Sequence, residues 1–428
     1  MTEFVIGLVA LVGFILIRIP VALAMGIIGF VGYAHYMGFS VSSKMVAGSA
    51  FELGSYMLTV IPLFVLMGNF VASSGLGRDL FRAAYAFIGR MPGGLAISAI
   101  LASGGFAAIS GSSVASAATM AKVSYPPMRS FGYSESFSLA TIAAGGTLGI
   151  LIPPSVVLII YGILAEQNIA KLFLAGIVPG LLGMVLYTLA VGFVVARDRD
   201  AGPRGEYVPW SEKWRALREV WGVIALFVLV MGGLYGGVFT ATEGAGIGAS
   251  GALLLTWIRG AMTLAVLRDA FLGAVRTTGA LFPILLGSTI LGNFIAMTGA
   301  PETLADWIGD IDPHPAMLLF IVVLLYLFLG FFFESFSTLF ITMPIILPLI
   351  DAAGFDLIWF GIIVVVTIEI GLLTPPFGMN VFVLTSVFRN IAPGPVFRAL
   401  IPFIVADFIR VALLALFPAL VLFLPSQM

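Results

Sequence analysis

The sequence contains no cysteine, only two histidines and few charges, and each scarcity closes off a class of function. Without cysteine there are no disulfides and no thiol chemistry, although this says nothing about compartment. His35 and His314 lie far apart in the chain and form no metal-ligand pattern. The net charge is −1 and there is no basic run, so neither nucleic acid nor a strongly anionic surface is indicated as a partner. No paired acidic motif, zinc-binding helix or nucleophile–base set appears, which argues against an enzyme. A channel's repeated filter or ring of charges is missing as well.

What the chain has in abundance is apolar length. Hydrophobic residues make up 61% and charged residues 10%, against about half and a quarter in a soluble domain. At roughly 20 residues per spanning helix, the 428 residues give room for about ten to twelve spans and no separate soluble domain. Met1 to Ile17 lacks a basic leader region and runs into another apolar stretch after Arg18 and Pro20, so it is expected to be a retained helix.

Two apolar stretches, near 95–121 and 315–350, are interrupted by polar residues. These are Ser110, Gly111, Ser112 and Ser113 in the first and Glu334, Ser335 and Ser337 in the second. Backbone that leaves the helix at membrane depth must be buried in protein or line a wet cavity, so both stretches are predicted to be re-entrant helical hairpins. The long polar segment Arg197 to Glu219 divides the chain almost in half.

The halves repeat each other. Leu66-Met67-Gly68-Asn69-Phe70-Val71-Ala72 matches Ile290-Leu291-Gly292-Asn293-Phe294-Ile295-Ala296, an offset of 292 − 68 = 224. Gly149-Ile150-Leu151-Ile152-Pro153-Pro154 matches Gly371-Leu372-Leu373-Thr374-Pro375-Pro376, an offset of 371 − 149 = 222. Paired anchors in one order at nearly one spacing indicate duplication. The first repeat is 1–196, with a hairpin near 95–121 and a broken helix at 136–164. A cytoplasmic connection at 197–219 follows, and the second repeat is 220–428, with a hairpin near 315–350 and a broken helix at 358–388.

Loop charge orients the halves, because short loops rich in Lys and Arg stay in the cytoplasm. The central segment carries Arg197, Arg199, Arg204, Lys213, Arg215 and Arg218. After the Gly-Asn-Phe helix, the first half has Arg78, Arg82 and Arg90 where the second has Glu302, Asp306, Asp310 and Asp312. After the hairpin, Lys122 and Arg129 are replaced by Asp351 and Asp356, while the second proline helix ends at Arg389 where the first ends near Glu166. Equivalent loops therefore lie on opposite sides of the membrane, an inverted-topology repeat, and counting outward from the central loop places both termini in the periplasm. The fold class expected is an all-α polytopic membrane protein of elevator type with two re-entrant hairpins. Arm helices are expected near 77–90 and 260–276.

Interrupted helices in matching positions put the binding site where the interruptions meet. The paired prolines remove amide donors and clash with carbonyls a turn earlier, leaving backbone oxygens without helical partners. Such oxygens, with hydroxyls such as Ser110 and Ser112, suit a small cation without any carboxylate. The second half offers Gly330, Gly371, Thr374 and the Phe377 carbonyl. Helix N-termini restarting after each proline pair favour a nearby anion. Against these readings, paired prolines are often mere kinks and small-residue runs such as Ser110 to Ala118 often serve packing. Glu334 and Glu369, ionisable residues in apolar surroundings, are functional candidates or else partners in salt bridges. Glu243 could simply cap a helix beginning at Thr242.

At these motifs the sequence resembles the large membrane subunit of tripartite ATP-independent periplasmic (TRAP) transporters. The phrases are Ile61-Pro62-Leu63-Phe64 leading to Gly68-Asn69, Ile109-Ser110-Gly111-Ser112-Ser113-Val114-Ala115, Ile152-Pro153-Pro154-Ser155 running to Ile160-Tyr161-Gly162, Phe239-Thr240-Ala241-Thr242-Glu243, and Leu373-Thr374-Pro375-Pro376-Phe377-Gly378-Met379-Asn380. The resemblance implies sodium cotransport in a multi-pass protein of the bacterial inner membrane. It also implies a small four-helix membrane subunit and a soluble periplasmic binding protein that delivers an organic acid, such as a dicarboxylate or sugar acid. It maps one Na+ site to Ser110, Ser112, Gly149, Ile152 and Pro154 and the other to Gly330, Gly371, Thr374 and Phe377, the last bulkier than the family's usual residue. Ser155 and Asn380 are candidate substrate contacts. The alternative is a stand-alone sodium-coupled dicarboxylate carrier of related architecture.

Overall fold

The computed structural model describes residues 1–311, 314–376, 378–388 and 391–428, with backbone alone at 305 and 307–311. Phe377, Arg389 and Asp312, used above for a site and for orientation, lie outside the described residues, as does the side chain of Asp310. Among the described residues the regular structure is entirely helical.

In the first half, α1 (Thr2–Leu16), α2 (Val21–Met37), α3 (Phe39–Glu52) and α4 (Val60–Ser73) lead into the short amphipathic α5 (Leu76–Ile88). A hairpin of α6 (Gly94–Ser110) and α7 (Ser113–Ser130) follows, then α8 (Glu135–Thr147), α9 (Val156–Leu164) and the long α10 (Ile169–Arg197). The polar connection holds α11 (Trp210–Glu219). The second half runs α12 (Trp221–Tyr235), α13 (Ala241–Ile258), α14 (Leu264–Met297), α15 (Ala300–Ile311) and the hairpin α16 (Pro315–Gly330) with α17 (Ser335–Ala352). It ends with α18 (Leu357–Leu373), α19 (Met379–Val387), α20 (Pro393–Leu416) and α21 (Ala419–Leu422).

Among the described residues six helical stretches are long and apolar enough to cross a membrane, and five further apolar helices are shorter. The hairpins and broken helices explain why the ten to twelve segments expected from composition are not all full-length. Their helices stop at depth, as the 13 residues of α8 and the 9 of α9 and α19 illustrate.

Helices pack into two groups. One joins α2, α4, α13 and α14, and the other gathers the hairpin α6–α7 with α8, α10, α18 and α20. Small residues set the spacing in the first group. A Cβ at Gly29 would lie 2.6 Å from the Leu291 amide nitrogen, and one at Gly287 would lie 2.5 Å from the Ala22 carbonyl oxygen. In lipid, where apolar burial between helices gains little, such close backbone approach supplies the packing energy. The Asn69 amide of the Gly-Asn-Phe phrase donates to the Ala270 carbonyl at 3.0 Å, tying α4 to α14.

The structure differs from the sequence expectations at three helices. The stretch 260–276, expected to be an arm, is helical from Leu264 and continues without a break into the Gly-Asn-Phe helix as the 34-residue α14. The place equivalent to α5, between that helix and the hairpin, is taken by α15. Nothing between Arg276 and Leu281 stops a helix, since Thr-Thr-Gly-Ala only weakens one. The central segment, expected to be a polar connection, folds in part into α11, with Glu212 in its first turn and Arg218 in its last, each placed favourably for the helix dipole. The helix after Phe239 is capped at Thr240 rather than begun at Thr242. The Thr240 hydroxyl and the Glu243 carboxylate form a reciprocal capping box.

The central connection also straps neighbouring helix ends together. Gly93 donates to the Gly202 carbonyl at 2.9 Å, Gly205 donates to the Gly89 carbonyl at 2.8 Å, and the Tyr133 hydroxyl donates to the Pro203 carbonyl at 2.9 Å. Asp79 at the start of α5 pairs with Arg259 after α13. Burial raises the Asp79 pKa, with the guanidinium opposing that shift.

Candidate functional site

The first hairpin turns over two residues. Gly111 takes the left-handed conformation (φ 66°), which ends α6, and Ser112 is extended with its hydroxyl accepting from the Ala115 amide as the N-cap of α7. A side chain at Gly111 would be strained twice over, by its φ and by the Pro154 carbonyl 2.9 Å from a Cβ there. The tip therefore rests on the proline break of the first repeat, and the Val156 amide donates to the Gly111 carbonyl at 3.4 Å.

That break is formed by a single 3₁₀ turn, Leu148–Ile150, followed by irregular backbone through Pro154. Pro153 and Pro154 cannot donate to the carbonyls of Gly149 and Ile150 four residues earlier. The Ile150 carbonyl is taken by the Ser155 hydroxyl. Gly149 lies against the hairpin tip so tightly that a Cβ would meet the Ser112 carbonyl oxygen at 2.6 Å and the Ser116 hydroxyl at 2.8 Å. Ser116 Oγ lies in turn 2.6 Å from Ser110 Oγ. Of the residues mapped to the first site, the structure brings together the backbones and hydroxyls of Ser110, Ser112 and Gly149 and sets the Pro154 carbonyl beside Gly111. Ile152 is held by the hydrogen bond its amide donates to the Leu148 carbonyl (3.0 Å) and by packing of its side chain on Gly180. Ser116 was not singled out in the sequence, where it reads as one of many small residues. Its spacing of one and a half helical turns from the tip was the available signal.

At the second break the contact is backbone on backbone. A Cβ on Gly371 would stand 2.6 Å from the carbonyl carbon of Gly330 and 2.7 Å from its oxygen. Thr374 leaves the helix in an extended conformation, and its hydroxyl donates to the Ile370 carbonyl at 2.6 Å. Gly378 is left-handed (φ 43°) and starts α19. Between the hairpin tip and α19 lies a cavity of about 240 Å³, lined by Gly330, Phe331, Phe332, Phe333, Leu372, Gly378, Met379 and Phe382. The donor sets fit a small hard cation at both breaks, with hydroxyls and carbonyls at the first and chiefly carbonyls with one threonine at the second. Among the described residues no cluster of three His, Cys, Asp or Glu could hold a transition metal.

The two candidate substrate contacts are both fully buried. Ser155 caps α9 by accepting from the Leu158 amide at 3.3 Å while donating to Ile150. Asn380 donates from Nδ2 to the Ala143 carbonyl at 3.3 Å, joining α19 of one repeat to α8 of the other, and its Oδ1 has no partner. Glu334 stands at the second hairpin tip as the N-cap residue of α17. Glu369 is paired with Arg410, a residue the sequence reading passed over together with Asp407 and Tyr187. The signal was an acid and a base three residues apart inside an apolar span.

Comparison with known proteins agrees with this architecture. The chain is similar to the C4-dicarboxylate TRAP transporter large permease protein of Pseudomonas aeruginosa, at 36% identity over 90% of each chain. It is also similar to the sialic acid TRAP transporter large permease protein of Vibrio cholerae, at 32% identity over 97% of this chain and 94% of that one. The crystal structure of the YdaH transporter of Alcanivorax borkumensis shares the fold, with a TM-score of 0.64 and 14% identity over 90% of this chain and 89% of that one. The model of the family "Tripartite ATP-independent periplasmic transporter, DctM component" matches residues 8–420. The chain thus belongs to the TRAP transporter family as its large permease subunit, an all-α multi-pass protein of the bacterial inner membrane built on inverted repeats with two re-entrant hairpins.

Proposed function

We propose that this subunit carries a small organic anion, of the dicarboxylate or sugar-acid class, into the cell together with sodium bound at the two helix breaks. The observation that carries this reading is the matched contact of Gly149 with Ser112 and of Gly371 with Gly330, at positions equivalent in the two repeats. Pro153 and Pro375 cannot supply the helical amide that the Gly149 and Gly371 carbonyls would otherwise receive, while the Gly371 carbonyl accepts from the Thr374 amide at 3.2 Å and the Ser112 carbonyl from the Ser116 amide at 3.0 Å. Neither contact gathers a carboxylate, which suits a monovalent cation. The cavity of about 240 Å³ beside the second hairpin gives the anion room, and Gly378 and Met379 at the start of α19 line it, where a helix N-terminus favours an anion.

The hairpin-bearing group of helices moves as a body past the α2–α4–α13–α14 group in an elevator motion, and inverted repeats supply the two related end states. A small four-helix membrane subunit and a soluble periplasmic binding protein complete the assembly, and the second of these delivers the substrate. The test is uptake into proteoliposomes with the cognate binding protein, with external sodium replaced by potassium. Uptake should stop. Uptake that persists on a proton gradient in sodium-free buffer overturns the sodium reading, and uptake with no binding protein present favours a stand-alone carrier.

A further inference from the structure

Beneath the two breaks, within the apolar interior, runs a polar chain that the site chemistry does not use. It starts at Thr147, the last residue of α8, whose hydroxyl lies 3.0 Å from the Tyr187 hydroxyl of α10. Tyr187 donates to Asp407 Oδ2 of α20 at 2.7 Å, and the Thr147 hydroxyl also donates to the Ala144 carbonyl within its own helix at 2.7 Å. One turn along α20, Arg410 Nη2 lies 2.7 Å from Asp407 Oδ1, and the same guanidinium donates to Glu369 of α18. Asp407, Arg410 and Glu369 are completely buried.

The ends of this chain are equivalent positions. Thr147 and Glu369 differ by 369 − 147 = 222, the same offset that relates Gly149 to Gly371. Each end therefore sits two residues before the glycine that packs against its hairpin tip. The path crosses from α8 through α10 to α20 and α18, which are two pairs of repeat-related helices, so it spans the pseudo-twofold relation of the molecule. Space for it is reserved. A Cβ at Gly183 of α10 would collide with the Arg410 guanidinium. Three charges in an apolar interior are costly to desolvate, and removing one partner is costlier still. Helix packing alone would be better served by leucine. The chain is also incomplete, because Glu369 Oε1, Asp407 Oδ1, Arg410 Nε and Arg410 Nη1 have no hydrogen-bond partner, Asp407 and Arg410 being joined only as an ion pair.

We propose that Thr147, Tyr187, Asp407, Arg410 and Glu369 are positioning residues that hold the two cation sites in register across the repeat boundary, so that occupation of one site favours the other. This rests on the reading that sodium binds at the two breaks. Sodium at one site fixes the 3₁₀ turn beside Thr147, and the chain of hydrogen bonds and ion pairs passes that ordering to the α18 end beside Gly371. Coupling of this kind appears as cooperativity in binding, which packing alone would not change.

The test uses the purified full-length subunit with its partner membrane subunit, and sodium chloride against potassium chloride as the probe. Thermal stabilisation is followed as a function of sodium concentration, which yields a half-saturating concentration and a Hill coefficient. Tyr187→Phe keeps the ring and loses only the hydroxyl, and Glu369→Gln keeps the shape and loses the charge, so one folds even if the other does not. Both are expected to raise the half-saturating sodium by roughly two- to tenfold, as loss of one or two buried hydrogen bonds implies, and to bring the Hill coefficient from above one to one. A folded Tyr187→Phe protein with wild-type half-saturation and Hill coefficient overturns the inference and leaves the sodium reading intact. A wild-type protein that sodium stabilises no more than potassium does removes the sodium reading, and this inference with it.

Discussion

The two hairpin tips occupy equivalent places in the repeats but are made of different material. The first is small and rich in hydroxyls. Ser110, Gly111 and Ser112 form it, Gly149 and Ser116 close it from one side, and Gly68 of α4 closes it from another, with a Cβ there 2.6 Å from the Ser110 carbonyl oxygen. The second is aromatic. Phe331, Phe332 and Phe333 form it and leave a cavity of about 240 Å³ beside the Gly330–Gly371 contact. The equivalent of Gly68, Gly292, has only ordinary contact, its nearest neighbour being Pro344 at 3.6 Å from a Cβ. Duplication thus fixed the backbone break in both halves while the side chains diverged. One break is packed closed against hydroxyls and carbonyls, and the other has a cavity beside it.

If the backbone break is the shared element, substitutions there should be the most damaging and should not distinguish the halves. Gly149→Ala and Gly371→Ala each place a methyl group 2.6 Å from backbone atoms that cannot rotate away. Overpacking of this kind costs about 1–3 kcal/mol, and because it falls on the proposed ligands, sodium-dependent uptake should drop more than tenfold in both. Normal uptake by either variant, at normal expression, would remove that glycine contact from the mechanism.

Hydroxyl substitutions should separate the halves, with a smaller effect. Ser112→Ala loses a helix cap worth about 1 kcal/mol as well as a candidate ligand, so it should lower thermal stability and weaken sodium binding together. Thr374→Val loses only the hydroxyl bonded to Ile370 and should weaken sodium binding by roughly two- to tenfold with little change in stability. Sodium titrations monitored by thermal melting check both, and an unchanged sodium dependence in either folded variant withdraws that residue from its site. Ser116→Ala should have the smallest effect, about a twofold weakening, because its hydroxyl reaches the site through Ser110. A Ser116→Ala effect larger than that of Ser112→Ala would make Ser116 the principal ligand of the pair.

The sequence made the breaks legible because prolines and glycines act locally. Pro153-Pro154 and Pro375-Pro376 weaken a helix locally and Ser-Gly-Ser-Ser in an apolar stretch marks a turn, although Pro126-Pro127 remain inside α7 and show that a proline pair alone does not break a helix. The repeat was readable for the same reason, since its anchors are those residues. What joins the breaks was not readable. Tyr187, Asp407 and Arg410 acquire their meaning only from packing of α10 on α20 and α18, contacts that span 220 residues for Tyr187 and Asp407 and 41 for Glu369 and Arg410. Asn380 similarly finds Ala143 across 237 residues. The run of α14 through residues 264–297 was not legible, because Arg268, Asp269 and Arg276 interrupt the apolar pattern of the segment before the Gly-Asn-Phe helix. Those charges instead sit on the exposed first turns of a continuous helix.

The central claim, that inverted halves carry the site across the membrane as a moving body, is tested most directly by cysteine accessibility, for which the cysteine-free chain needs no prior engineering. Val114 and Phe332 are the probes of choice at the two tips, because Ser113 and Ser337 are only 5% and 9% exposed whereas Phe332 is 49% exposed. Single Val114→Cys and Phe332→Cys variants in oriented proteoliposomes should react with a membrane-impermeant thiol reagent from opposite sides. Their rates should shift in opposite directions when sodium and the substrate-loaded binding protein are added. Equal labelling of both from one side, unaffected by either addition, would contradict the inverted elevator.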